Sequence, residues 1–218
     1  MLTVVSLSDP ATAARVAALL LDSGAVRLRP ADPFTWSSGW RSPIYCDNRV
    51  TLAFPATRTA IADALTAAVR QHYPDVEVIG GVATAGIAQG ALVADRLSLP
   101  YCYVRPQPKG HGMGNQIEGN VEAGQRVVLI EDLVSTGGSS LKAAQALRAA
   151  GAEVIGMLAV FTYGFPQAAE AFREANISLV CLSDYTALLA EAEARGAIRP
   201  GEQATLAEWR ENPAEWGR

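Results

Sequence analysis

From Val76 to Leu182 the chain alternates between short, continuously apolar runs and longer amphipathic ones, and this order constrains the fold more than any other feature. Val76 to Ala83, Pro100 to Val104, Arg126 to Glu131, Glu153 to Phe161 and Ser178 to Leu182 read as strands. Gly86 to Arg96, 139 to 150 and Pro166 to Asn176 read as the helices between them, with Gly151 at the C′ position of the second. Strands that are apolar on both faces, each followed by a helix, predict a mostly parallel central sheet covered by helices on both sides, an α/β fold.

Outside this block the signals are weaker. Asp9-Pro10 predicts an N-cap and first-turn proline, opening a helix that ends near Gly24. Residues 55 to 72 form an amphipathic helix with Ile61, Leu65, Ala68 and Val69 on one side. Pro30 to Trp40 reads as loop with short strands, and Ile44 to Cys46 as a short strand. A helix near 184 to 195 precedes a Trp-bearing segment, Leu206 to Trp216, expected to pack as a cap. Residues 1–218 are expected to form one domain, with a small hood made by about residues 1–50 and the C-terminal tail.

Composition excludes several classes of function. Charged residues interrupt every apolar run before it reaches bilayer length, so no membrane association is expected. A net charge of −4 argues against non-specific nucleic-acid binding, which depends on phosphate neutralisation. Cys46, Cys102 and Cys181 are odd in number and widely spaced, which indicates neither a zinc knuckle nor a disulfide framework. Cys102 and Cys181 read as buried thiols, and the expected location is the cytoplasm.

Three loops carry the chemistry. The strand from Arg126 ends in the adjacent acids Glu131 and Asp132, followed by Leu133-Val134-Ser135-Thr136-Gly137-Gly138-Ser139 and a helix. At a strand end both acids can face one ligand and accept hydrogen bonds from vicinal hydroxyls. The small residues behind them free a row of backbone N–H groups at a helix start, suited to a phosphate. A plain strand–helix turn explains the glycines but not the paired acids. The second loop, 105–119, carries Arg105, Lys109 and His111 among glycines, a cation set that can close over a polyanion. A solvated surface loop is the plainer alternative. The third, Gly80 to Gly86, follows a buried strand and opens a helix, so its backbone can approach an anion, with a plain strand–helix turn as the equal alternative. Lys142 lies in the helix after the first loop, but no Gly-Lys-Ser/Thr closes that loop as in a Walker A motif.

The run Leu129 to Ser139 resembles the phosphoribosyl-pyrophosphate signature of the type I phosphoribosyltransferases. Tyr103-Val104-Arg105, Lys109, Gly110-His111-Gly112 and Gly114 to Gly119 are similar to the catalytic loop of the orotate phosphoribosyltransferase family within them. Phe34 to Asp47, with its Trp-Ser-Ser-Gly run, is similar to that family's N-terminal hood motif.

The resemblance implies the type I phosphoribosyltransferase fold. It implies transfer of a phosphoribosyl group from phosphoribosyl pyrophosphate to orotate, with Mg²⁺. By the same resemblance Glu131 and Asp132 meet the ribose hydroxyls, Leu133, Val134 and Ser135 belong to the same substrate-binding run, and Thr136, Gly137, Gly138 and Ser139 hold the 5′-phosphate. Ser135 touches orotate. Arg105, Lys109 and His111 clamp the pyrophosphate and, with Asp132, form the catalytic set. No residue is implied as a direct metal ligand: Mg²⁺ is carried mainly by the substrate, with Glu131 and Asp132 near it. A homodimer is implied, with the 105–119 loop reaching the partner's site. Arg41 and Arg49 are the candidates for the orotate carboxylate. Another type I phosphoribosyltransferase, acting on a purine or a different base, is the nearest alternative. A non-catalytic regulator that binds phosphoribosyl pyrophosphate is the alternative from another class.

Overall fold

The computed structural model describes residues 4–36, 38–107, 116–199 and 201–217. A seven-stranded sheet runs through the molecule in the order β1 (Val5–Leu7), β11 (Leu179–Asp184), β10 (Glu153–Thr162), β9 (Arg126–Val134), β6 (Val78–Val82), β7 (Tyr101–Val104) and β8 (Ile117–Gly119). Every pairing is parallel except β7 with β8. Two small antiparallel pairs lie apart from it: β2 (Val26–Leu28) with β5 (Ile44–Cys46), and β3 (Phe34–Thr35) with β4 (Arg41–Ser42).

Side-chain alternation along the central strands feeds two cores. On β9, Val128 and Ile130 join one cluster, with Leu158 and Val160 of β10. Val127 and Leu129 join the other, with Met157 and Ala159. The first face is covered by α1 (Pro10–Asp22), α2 (Pro55–His72), α3 (Gly86–Leu97), α6 (Tyr185–Ala194) and α7 (Glu202–Glu211); the second by α4 (Gly138–Ala149) and α5 (Pro166–Glu174). This two-sided burial is why the strands read as unbroken apolar runs. Asp9 caps α1 by accepting from Thr12 N at 2.8 Å, and Asp184 caps α6 by accepting from Ala187 N at 2.8 Å.

The structure corrects the sequence reading in three places. β1 was not expected, because three residues at a sheet edge carry no periodicity of their own; they become a strand only by pairing with β11. The end of the 105–119 loop is not loop: Ile117–Gly119 folds back as β8 against β7. Most consequential, β9 does not stop at Glu131 but continues to Val134, supported by register with β10 as far as Thr162.

Of the two tryptophans in the segment Leu206 to Trp216, Trp209 is buried and Trp216 is half-buried. Trp209 of α7 is fully buried and meets Trp36, Tyr163, Phe165 and Tyr185, with ring centroids 5.5 Å away in each pair. Its Nε1 donates to Arg41 O at 3.2 Å. The tail therefore holds the β3–β4 ribbon against the sheet. No helix among the described residues is long and apolar enough to cross a membrane. Cys102 and Cys181 are buried free thiols.

Candidate active site

Two cavities open at the carboxyl ends of β9 and β6, where a parallel sheet presents its loops. The larger, about 660 Å³, is walled by Trp36, Trp40, Tyr45 and Tyr163 and floored by Ser135 and Thr136. The smaller, about 380 Å³, holds Glu131, Asp132, Ser139, Thr84, Ala85 and Arg49. Cys46 and Leu133 line both, so the two meet beside the acid pair. One compartment is aromatic and the other charged.

Because β9 runs on past the acids, Glu131 and Asp132 are neighbours on a strand and leave its opposite faces. Glu131 falls on the α4 side and is buried. Its Oε2 accepts from Ser140 Oγ at 2.8 Å, and its Oε1 accepts from Asp132 N at 3.0 Å. Burial and the adjacent Asp132 carboxyl push Glu131 well above the ordinary carboxylate range. Burial raises Asp132 as well, while Glu131, backbone N–H groups and the Arg49 charge pull it back down. Asn48 donates its Nδ2 to Asp132 O at 2.6 Å, so the acid strand is clamped from both sides.

A stability effect follows, with a definite sign. A carboxyl raised by folding binds its proton more tightly in the native than in the unfolded chain. That contribution is complete at pH below the unfolded value and is lost as pH rises through the native one. Glu131→Gln keeps an acceptor for Asp132 N and offers Ser140 Oγ an amide donor in a bond of reversed direction, with no charge to bury. The variant should melt at or above the wild type at about pH 8 and show less loss of stability between about pH 5 and about pH 8. Thermal melts across that range check it; parallel curves would refute it.

The loop behind the acids turns at Gly137, which takes φ +84° as the N-cap of α4. The first amides of α4 have no helical carbonyl to bond, and Gly138 and Ser139 reach a third cavity, about 340 Å³, shared with Arg105 and Lys142. Gly86 brings α3 close from the other side: a Cβ there would lie 2.5 Å from Ile130 O. That contact seats Thr84 and Ala85 beside the acids; the Ala83–Thr84 peptide is cis.

The residues singled out from sequence divide as follows. Asp132, Glu131, Leu133, Ser135, Thr136 and Ser139 line one or both of the first two cavities. Val134 does not: its side chain is fully buried and its carbonyl accepts from Thr162 Oγ1 at 3.0 Å and Tyr163 N at 3.3 Å. Gly137 lies behind the loop against Phe172. Arg105 lies at the root of its loop, where its N–H donates to Gln116 O at 2.9 Å and its Nη1 is 3.7 Å from Glu118 Oε1. Lys109 and His111 lie outside the described residues. Arg41 turns away from both cavities and donates to Gly217 O at 3.3 Å. Sequence reasoning missed Asn48, Ser140 and Tyr163, because a polar residue in a helix or a Tyr after a strand carries no local sign of what it will touch.

Residues 55–181 match the model of the phosphoribosyl transferase domain. An orotate phosphoribosyltransferase of Cytophaga hutchinsonii is 55% identical over 92% of this chain and 96% of its own length. The chain belongs to the orotate phosphoribosyltransferase family. A Bacillus caldolyticus member is also 55% identical, over 93% of this chain and 98% of its own. The crystal structure of an Aeropyrum pernix orotate phosphoribosyltransferase superposes with a TM-score of 0.73 at 34% identity, covering 84% of this chain and 99% of that one. The mostly parallel sheet and its flanking helices are thus the type I phosphoribosyltransferase fold.

Proposed function

We infer that this enzyme transfers the phosphoribosyl group of phosphoribosyl pyrophosphate to orotate, giving orotidine 5′-monophosphate and pyrophosphate. One observation carries the reading beyond family membership: the aromatic cavity and the charged cavity meet at Cys46 and Leu133, beside Asp132. A ribose seated at that junction would present its C1 with the base on one side and the diphosphate on the other. The C1–O bond to the diphosphate breaks, its electron pair leaves with pyrophosphate, and orotate N1 bonds to C1 from the opposite face as its N–H proton passes to the departing pyrophosphate or to solvent.

The residues then take these parts. Trp36, Trp40 and Tyr163 form a flat apolar wall for the pyrimidine, and Ser135 offers it a polar contact. Thr136 to Ser139 hold the 5′-phosphate on backbone amides at the start of α4. Asp132 stabilises positive charge developing on the ribose, and Glu131 orients the Asp132 backbone from below. Arg105, Lys109 and His111 steady the leaving pyrophosphate.

A carboxylate lining the cavity beside a phosphate site is the donor pattern that suits Mg²⁺, which prefers a carboxylate or two plus substrate phosphates. Asp132 fits that role, and Glu131 less so, since both its oxygens already accept protein hydrogen bonds. When bound, Mg²⁺ neutralises diphosphate charge. The same reading includes a homodimer with the 105–119 loop serving the partner's site, a cytoplasmic location, and a single domain in which residues 1–50 and the tail form a hood.

The decisive experiment mixes the protein with Mg²⁺, phosphoribosyl pyrophosphate and orotate and follows the loss of orotate absorbance. No loss with orotate, but turnover with a purine or another pyrimidine, would move the enzyme to another branch of the fold. Binding of phosphoribosyl pyrophosphate with no turnover on any base would favour the regulator instead.

A further inference from the structure

We propose that Arg49 is a fixed leaving-group residue: its guanidinium binds the diphosphate end of the substrate and the pyrophosphate product. The inference rests on the proposed reaction for the identity of the anion. Arg49 was a sequence candidate for the orotate carboxylate, and the structure separates it from that role. It lines the charged cavity with Asp132, Thr84 and Ala85, and it does not line the aromatic one.

Arg49 is built for the task. Its Nε donates to Asp47 Oδ1 at 2.7 Å and its Nη2 to Asp47 Oδ2 at 2.8 Å, a two-pronged pair. Asp47 is in turn fixed, because its Oδ1 also accepts Arg49 N at 3.1 Å as the cap of the 3-10 helix Asn48–Ala53. Asn48, between them, bonds the Asp132 carbonyl. The turn that carries the guanidinium is therefore bolted to the acid strand. Two donor directions are used by Asp47; Nη1 and the outer hydrogen of Nη2 are left for a ligand. The Arg49 side chain is 60% exposed, so that edge is open.

Charge balance makes the same point. Among the described residues lining the charged cavity, Arg49 supplies the sole cationic side chain, against three acids, Asp47, Glu131 and Asp132. Arg105 and Lys142 line the adjoining cavity instead. A diphosphate placed beside Glu131 and Asp132 meets repulsion unless a positive group stands next to it. An arginine held in advance by Asp47 meets the phosphate fork with little further ordering. Arg49 is held in place before the substrate arrives.

The test measures pyrophosphate and orotidine monophosphate affinities by titration calorimetry, with Mg²⁺, on the full chain. Arg49→Gln should weaken pyrophosphate about 10-fold or more, the loss of charge-assisted hydrogen bonds. It should leave orotidine monophosphate, which has no diphosphate, within about 2-fold. Asp47→Asn should move in the same direction by less, since it loosens the guanidinium without removing it. Unchanged pyrophosphate affinity in Arg49→Gln, or an equal loss for orotidine monophosphate, overturns the assignment. Should Arg49→Gln fail to fold, Arg49→Lys decides: weaker pyrophosphate with normal nucleotide binding supports it, and normal pyrophosphate binding overturns it. A wild type that binds pyrophosphate through Arg49 yet does not consume orotate would refute the proposed reaction and leave this site standing. Normal orotate turnover with pyrophosphate binding indifferent to Arg49 would do the reverse.

Discussion

Asp132→Asn is expected to lower kcat at least about 100-fold, the scale for removing a preorganised charge aimed at a transition state. The fold should survive. Asn48 holds the backbone oxygen of residue 132 and not its carboxylate, so the clamp remains when the side chain changes. Burial raises the Asp132 pKa from 3.8, so an uncharged asparagine avoids the desolvation cost that the carboxylate carries. The same shift fixes the pH response. Turnover needs the carboxylate, so the rate of the wild type should fall as pH drops, with an acid limb above the ordinary aspartate value of 3.8. Steady-state kinetics with a melting curve alongside checks both parts. Near-normal kcat in a folded variant would remove Asp132 from the charge-stabilising role.

Gly137→Val is expected to destabilise the protein by about 3 kcal/mol, combining backbone strain at a positive φ with overpacking. That corresponds to a melting temperature lower by about 6–12 °C for a chain of this size. The φ of Gly137 is +84°, and a Cβ there would lie 2.9 Å from Phe172 Cε2. Read from sequence alone, Gly137 is where a side chain would block the phosphate. Under the proposed binding mode, that block is expected one residue on. A Cβ on Gly138 meets nothing within 4 Å and projects into open space at the mouth of α4. Gly138→Val should therefore keep the melting temperature and lose affinity for phosphoribosyl pyrophosphate. If Gly138→Val binds substrate normally, the amide cradle is not where the phosphate sits.

Much of this was legible along the chain. Strands β6, β7, β9, β10 and β11 announced themselves as continuous apolar runs, and Pro55–His72 was read to the residue, since an amphipathic period over five turns has few rivals. The acid pair and its glycine-rich loop were also legible, being contiguous. What failed was local and for stated reasons. The β9 strand seemed to end where polarity began, yet partner register with β10 carried it to Val134. A row of glycines hid β8, which exists only through its antiparallel bonds to β7. Arg41 and Arg49 could not be told apart, because each is an exposed-looking arginine in a short irregular segment.

By itself, then, the order of residues determined the layered sheet, the acid pair with its glycine-rich loop and the class of chemistry, since hydrophobic period and contiguous motifs act over a few neighbouring positions. Only tertiary structure decided how the pieces share work: that Glu131 is tied to Ser140 while Asp132 faces the charged cavity, that Asn48 and Arg49 come across from the N-terminal segment to meet them, and that Trp209 from the tail secures the aromatic wall. Those arrangements join residues far apart in the chain, and their energies come from burial and hydrogen bonding that no local pattern encodes.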